Sequence, residues 1–214
     1  AGEHGRMIKL SDSTSRVVSL MLAMVIVPLY INMPLVLEVW LAEVPYGALE
    51  FCRGFLLVVL IGQLSIGLQI ALESVGRIKR LHLIVGTMHI LPIPAAYICF
   101  KCGLPYYYMI YCLVAEEVLC LFFRAYITWK DAEYPMKPFV FGHILPCVAS
   151  IVVSYVVSAY LATLCGNAWI QLLVSTVSNT AILGVWSYFF CLTVWEKDKL
   201  YSLVSSIASK IRKR

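Results

Sequence analysis

The chain is written in long apolar blocks separated by short polar and charged stretches. Six blocks stand out, at residues 17–37, 49–72, 81–100, 105–128, 139–164 and 168–194. Each is about 20 residues or longer, which is more than a water-soluble core needs and enough for a helix to cross a bilayer. A membrane barrel would alternate apolar and polar residues in strands of about ten. These runs are apolar all round, and a helix satisfies its own backbone hydrogen bonds where lipid cannot. The pattern therefore predicts an all-α, polytopic membrane protein with about six transmembrane helices. The 16 residues before the first block read as a loop leading into a span, and the Ala at position 1 suggests a fragment with more protein before it.

Composition agrees with the pattern. Of 214 residues, 61% are hydrophobic and only 14% charged, and the mean hydropathy is +0.85. A soluble domain averages about 45–50% apolar and about 25% charged. The net charge of +5 sorts by loop. Arg6, Lys9 and Arg16, then Arg77, Lys79 and Arg80, then Lys130 and Lys137, flank one set of block ends, and a basic tail from Lys197 to Arg214 joins them. The alternate loops, 38–48, 101–104 and 165–167, carry only Lys101. The positive-inside rule then places both termini in the cytoplasm, as an even number of spans requires. The charge reads as topology, and no basic face with exposed aromatics points to nucleic acid.

Polar residues inside the blocks need a reason, because lipid does not solvate them. The second block is richest. Gly62, Ser65, Gln69, Glu73 and Gly76 recur at helical spacing on one face, while Gln63, Gly67 and Arg53 fall towards the other. Such a helix either lines a cavity or packs closely through small residues and amide hydrogen bonds. Arg53, three residues after Glu50, either grips a phosphate from a cavity or snorkels to the headgroups. Glu116 and Glu117 sit mid-block in the fourth span and point about 100° apart. They serve either ion coupling or pairing within the bundle. Arg124 is expected to snorkel towards the cytoplasm. His89 precedes Pro92 and Pro94, which break a helix, and reads as a packing residue. Pro28 has the same kinking role in the first span, and His143 and Pro146 are expected at the interface.

The last two spans differ. Ser150, Ser154 and Ser158, and in the next block Thr176, Thr180 and Gly184, form small-residue rows that let helices approach closely. Only residues 165–167 join the two, so a tight hairpin is expected. The tail carries Leu200, Leu203, Val204, Ile207 and Ile211 at helical spacing among basic residues and should lie on an anionic membrane surface. The expected organisation is a partial transport lobe of four spans over 1–138, the hairpin over 139–195 and the tail over 196–214.

Most of the eight cysteines lie inside the blocks, as small apolar residues. Cys99 and Cys102 form a CxxC with no second pair or neighbouring histidine, so it is not read as a metal site. No Walker loop, nucleophile elbow or zinc-protease motif occurs, and nothing calls for a cofactor, a metal or a catalytic centre.

Three stretches carry a family resemblance: AGEHGRMIKL, VLEVWLAEVP and ESVGRIKRLHLIVGTMHILPIPAAY. Their most specific residues are Trp40, Leu41, Val44 and Pro45, and then Gly76, Ile78 and Lys79. They resemble the bacterial polysaccharide flippases of the multidrug/oligosaccharidyl-lipid/polysaccharide (MATE-like) superfamily, the exporters of O-antigen and capsule repeat units. The resemblance runs over nearly the whole chain. It departs at Ser74, Val75 and Gly76, where members commonly read Ala-Thr-Gly, and at the Glu116–Glu117 pair.

That resemblance implies two helical lobes around a central cavity in twelve to fourteen spans, of which these six would be the last. It implies a location in the bacterial cytoplasmic (inner) membrane and an undecaprenyl-pyrophosphate-linked oligosaccharide as cargo. The partners would be the lipid bilayer and the preceding helices of the same protein. Arg53 would hold the pyrophosphate, with Gln63, Gln69 and Glu73 as further cavity residues and Glu116 and Glu117 as ion-coupling candidates. A multidrug cation antiporter of the same superfamily is the nearest alternative. A membrane-embedded glycan polymerase or ligase is the alternative from another class, and the short outer loops speak against it.

Overall fold

A computed structural model describes residues 2–191 and Lys197; the basic tail over 196–214, Lys197 apart, lies outside them. All regular structure among the described residues is helical. The helices are α1 (Gly2–Ile31), α2 (Met33–Trp40), α3 (Ala48–Leu64), α4 (Ile66–Val75), α5 (Ile78–Met88), α6 (Pro92–Lys101), α7 (Tyr108–Ala132), α8 (Met136–Phe139), α9 (Leu145–Thr163) and α10 (Ala168–Trp186). A π-helical turn, Val140–Ile144, joins α8 to α9, and another, Ser187–Cys191, extends α10.

Four helical stretches among the described residues are long and apolar enough to cross a membrane: Gly5–Ile31, Ile78–Lys101, Met136–Thr163 and Ala168–Cys191. The bent pair α3–α4 makes a fifth if it counts as one span. The one remaining expected span, the fourth, is α7; it is 25 residues long, but Glu116, Glu117 and Arg124 interrupt its apolar run. Length and composition alone therefore show four to five spans rather than six.

The first 16 residues are not a loop. Helix α1 begins at Gly2, and its serine row Ser11, Ser15 and Ser19 is buried against α4. The contact depends on Gly67. A Cβ there would stand 2.5 Å from the Ser11 carbonyl oxygen and 2.9 Å from the Ser15 Cβ. The serines close the gap further, with Ser15 donating to the Leu64 carbonyl at 3.1 Å and Ser19 to the Gln63 carbonyl at 3.2 Å.

Helix α1 also anchors the final hairpin. Pro28 has no N–H, so the carbonyl four residues earlier, that of Met24, loses its helical donor. Asn179 of α10 donates its amide to this carbonyl at 3.2 Å. One turn beyond Pro28, Asn32 bonds the Pro28 carbonyl at 2.8 Å and Ser175 of α10 at 2.7 Å. Ser175, Asn179 and Leu183 are the buried face of α10. Thr176 and Thr180 are exposed and bond back to their own helix. The packing row of α10 is thus one residue off the expected one, because Asn179 is needed at the proline-freed carbonyl. On α9 the expected serines 150, 154 and 158 are fully buried, and Ser178 of α10 bonds Ser158 at 3.1 Å.

One end of the bundle gathers three of the basic segments. Arg80 pairs with Asp131 at 3.1 Å, and Arg77 bonds the Asp131 carbonyl at 3.3 Å. Tyr134 donates to Asp12 at 2.6 Å. Gly76, at φ +74°, ends α4 with a left-handed turn in which the Arg77 N–H reaches the Leu72 carbonyl. This gives a physical reason for glycine in the Gly76-x-Ile78-Lys79 sequence. The opposite end carries an aromatic cluster of Tyr46, Phe51, Tyr106, Tyr107 and Tyr108.

Two outcomes follow from this packing. Gly67→Ala should lower the stability of the protein by about 1–3 kcal/mol, since overpacking meets backbone, whereas Gly86→Ala, with open space around it, should not. Thermal unfolding in detergent measures both. Burial first, and then the bond to Asp12, hold the Tyr134 phenol well above its ordinary value of 10.0. A raised phenol leaves stability intact below about pH 10 and costs stability above it, where the unfolded chain ionises first. Tyr134→Phe should flatten that alkaline loss in a pH series of the same unfolding experiment.

Candidate functional site

The charged residues of α7, Glu116, Glu117 and Arg124, collect where two spans are interrupted, while Arg16 is buried apart from them on the Cys191 carbonyl. The first break is at Ser65, between α3 and α4, where the helix bends by 41°. A bend frees backbone carbonyls that an apolar surrounding cannot satisfy. Those of Gln63 and Leu64 accept from Ser19 and Ser15 of α1, as described above. The Leu64 carbonyl has His143 Nε2 at 3.2 Å as a second partner, which makes Nε2 the protonated nitrogen in that contact. His143 is fully buried. It is a bundle residue and not the interfacial one expected, because the break needs a donor at this point. Ser65 turns its own hydroxyl onto the Gly62 carbonyl at 2.9 Å.

Helix α7 lies across the break. Arg124 donates to Ser65 Oγ at 2.8 Å and pairs with Glu117 at 2.7 Å. Its side chain is only 13% exposed, so it does not snorkel as its position near a span end implies. Glu117 and Arg124 are seven residues apart, two helical turns on the same face. Gly62 makes room for them, since a Cβ there would stand 3.2 Å from Glu117 Oε1.

The second break lies between α5 and α6. His89 caps α5, and Pro92 opens α6. Proline removes the donors for the Met88 and Ile90 carbonyls. The N–H groups of Leu91 and Ile93 bond them instead, at 2.9 and 3.2 Å, in tight turns. His89 Nδ1 reaches Glu116 Oε1 at 3.0 Å, and the Cys120 thiol donates to the same oxygen at 2.7 Å. The two adjacent glutamates thus face different neighbours, as their 100° separation requires: Glu116 turns to α5 and Glu117 to α3–α4.

The other expected site residues lie elsewhere. Arg53 stacks over the Tyr30 ring, with its guanidinium carbon 5.2 Å from the centroid, and donates from Nε to the Tyr30 carbonyl at 3.1 Å. The groove on the same helix, lined by Met33, Phe51, Cys52, Phe55 and Leu56, is apolar. Gln69 donates to Glu73 at 3.1 Å on an exposed side of α4, away from Arg53. Gln63 contributes its carbonyl to the serines of α1. Five residues, Arg53, Gln63, Gln69, Glu73 and Glu116, therefore do not meet in one place. Cys120 is the member of the cluster that sequence reading missed, and the pairing of Arg124 with Glu117 was not anticipated either. Their signal was there in the i+4 spacing from Glu116 to Cys120 and the i+7 spacing from Glu117 to Arg124.

Comparison with family models, curated proteins and solved structures finds no match for the chain.

The Glu117–Arg124 pair is expected to hold the break together. Glu117→Gln leaves Arg124 buried without its carboxylate and should cost about 3–5 kcal/mol, while Glu117→Gln combined with Arg124→Met should recover much of the loss. A double-mutant cycle by thermal unfolding measures the coupling. Additive losses would show that the pair contributes nothing beyond its separate residues.

Proposed function

We propose that the chain is the C-terminal part of a lipid-linked oligosaccharide flippase, a partial transport lobe followed by a helix hairpin. The observation that carries the transport reading is the meeting of two broken spans on the charged face of α7. Discontinuous helices with polar groups at the break are where membrane transporters bind their ligands and bend, and buried ionisable residues in a span mark pathways or relays. The cargo class rests on the resemblance of the Trp40–Pro45 and Gly76–Lys79 segments to polysaccharide flippases. In this reading α7 is also a span, the fourth of six, its charges hidden inside the bundle. Both ends of the chain face the cytoplasm of a bacterial cell, and further helices of the same protein complete the cavity.

Arg53 is the residue of this reading that faces the pyrophosphate, with its stack on Tyr30 holding the guanidinium plane in place. Expression of the protein in cells lacking their own exporter for such a glycan should restore surface polysaccharide. Arg53→Ala should then lower export by about tenfold or more at equal protein level, the loss of a charge-assisted contact worth roughly 1.5–3 kcal/mol. No restoration by the parent protein would remove the cargo assignment. Unchanged export by the variant would leave Arg53 as a packing residue.

A second reading, cation-coupled drug antiport, is favoured by one observation: Glu116 is buried, yet its partner His89 is half exposed, so the carboxylate is one side chain away from the outer face of the described bundle. Proton-dependent drug efflux abolished by Glu116→Gln supports it, and efflux indifferent to that change excludes it.

A further inference from the structure

His89 and Cys120 have no assigned part in carrying a glycan, yet both converge on Glu116. Glu116 and Cys120 are one turn apart on the same face of α7. Helix α5 ends so that His89 meets them from across the helix pair. One ligand atom from each of the three lies within 4.8 Å of the other two. We propose that His89, Glu116 and Cys120 form a binding site for a divalent transition-metal ion of the zinc class, with a fourth coordination position left for water or another ligand.

The donor set selects the class of ion. One imidazole nitrogen, one sulfur and one carboxylate oxygen suit borderline ions such as zinc, whereas magnesium and calcium take oxygen ligands. Three protein ligands and an open position are the arrangement of exchangeable zinc sites rather than closed structural ones. At ordinary zinc bond lengths the ligand atoms of a tetrahedral site stand about 3.3–3.6 Å apart. The hydrogen-bonded spacings of 2.7 Å between Cys120 and Glu116 and 3.0 Å between His89 and Glu116 need only widen by under about 1 Å. The α5–α6 break lets His89 make that adjustment.

Charge points the same way. On binding, the Cys120 thiol loses its proton to solvent, and the thiolate and the Glu116 carboxylate then neutralise the divalent ion beside a neutral imidazole. A site with no net charge is the one an apolar surrounding tolerates. The described residues do not seal the cluster, because the His89 side chain is 49% exposed while that of Glu116 is 6% exposed. A bound ion pins the broken α5–α6 span to α7. The inference does not depend on the identity of any cargo.

Titration of the purified 214-residue chain in detergent with cobalt(II), an optical stand-in for zinc, tests it. The parent chain should develop d–d bands and a thiolate-to-cobalt charge-transfer band that saturate with a single ion and are reversed by zinc. Cys120→Ser should remove the charge-transfer band. Cys112→Ser, whose sulfur lies 3.9 Å from that of Cys99 and outside the cluster, should keep it. His89→Ala should weaken binding by about tenfold or more. The inference is overturned if the folded, monodisperse parent chain gives no band up to millimolar cobalt. It is equally overturned if the band survives Cys120→Ser, which assigns the metal to another thiol.

Discussion

The interruption of a helix at Ser65 organises this bundle. An unbroken helix in an apolar surrounding satisfies its own backbone and makes no demands on its neighbours. A helix bent at one residue exposes carbonyls that something must reach. Here α1 supplies Ser15 and Ser19, the π-helical turn before α9 supplies His143, and α7 supplies Arg124 to the hydroxyl of Ser65 itself. Three separate parts of the chain are held by one break. Pro28 repeats the logic on a smaller scale, since the carbonyl it frees is what ties α10 to α1 through Asn179.

Arg124 then dictates the composition of α7. A guanidinium cannot shed its charge inside the bundle, so a carboxylate must accompany it, and Glu117 does so two turns away. Once α7 carries charge on that face, it can no longer look out onto lipid there. It lies between α3–α4 on one side and α5–α6 on the other. One neighbour is bent at Ser65 and the other is interrupted by tight turns after Met88, and side chains at both places bond the charged face of α7. This is the mechanical link between the two breaks, and it runs through named hydrogen bonds rather than through general packing.

The all-helical character of the described residues, with several helices long and apolar enough to span a membrane, was legible from block length, because lipid leaves a backbone few choices. The hairpin of α9 and α10 and the burial of serines 150, 154 and 158 were legible too. What failed was any inference that needed to know which neighbour a residue meets. His143 and Arg124 lie near block ends and look interfacial in one dimension, but the Ser65 break draws both inward. The row at Thr176 and Thr180 has the right spacing, yet Asn179 one face away answers a carbonyl freed by a proline about 150 residues earlier in the chain. The residues 2–16 are polar enough to look like a loop. Ser11 and Ser15 are nonetheless buried, where Gly67 lets α4 come close.

The two adjacent glutamates divide the chemistry of α7. Glu117 faces a permanent cation, with Ser65 as a further acceptor for the same guanidinium, in a pair that is nearly closed to solvent. Through Arg124 it ties α7 to the helix junction at Ser65. Glu116 faces an imidazole and a thiol, two groups that can each gain or lose a proton or bind a metal, and one of them reaches the surface. The two sides also differ in how they are tied: the α3–α4 junction is bonded from α1, from α7 and from His143, while at the α5–α6 turns the side-chain bond to α7 is that of His89 to Glu116.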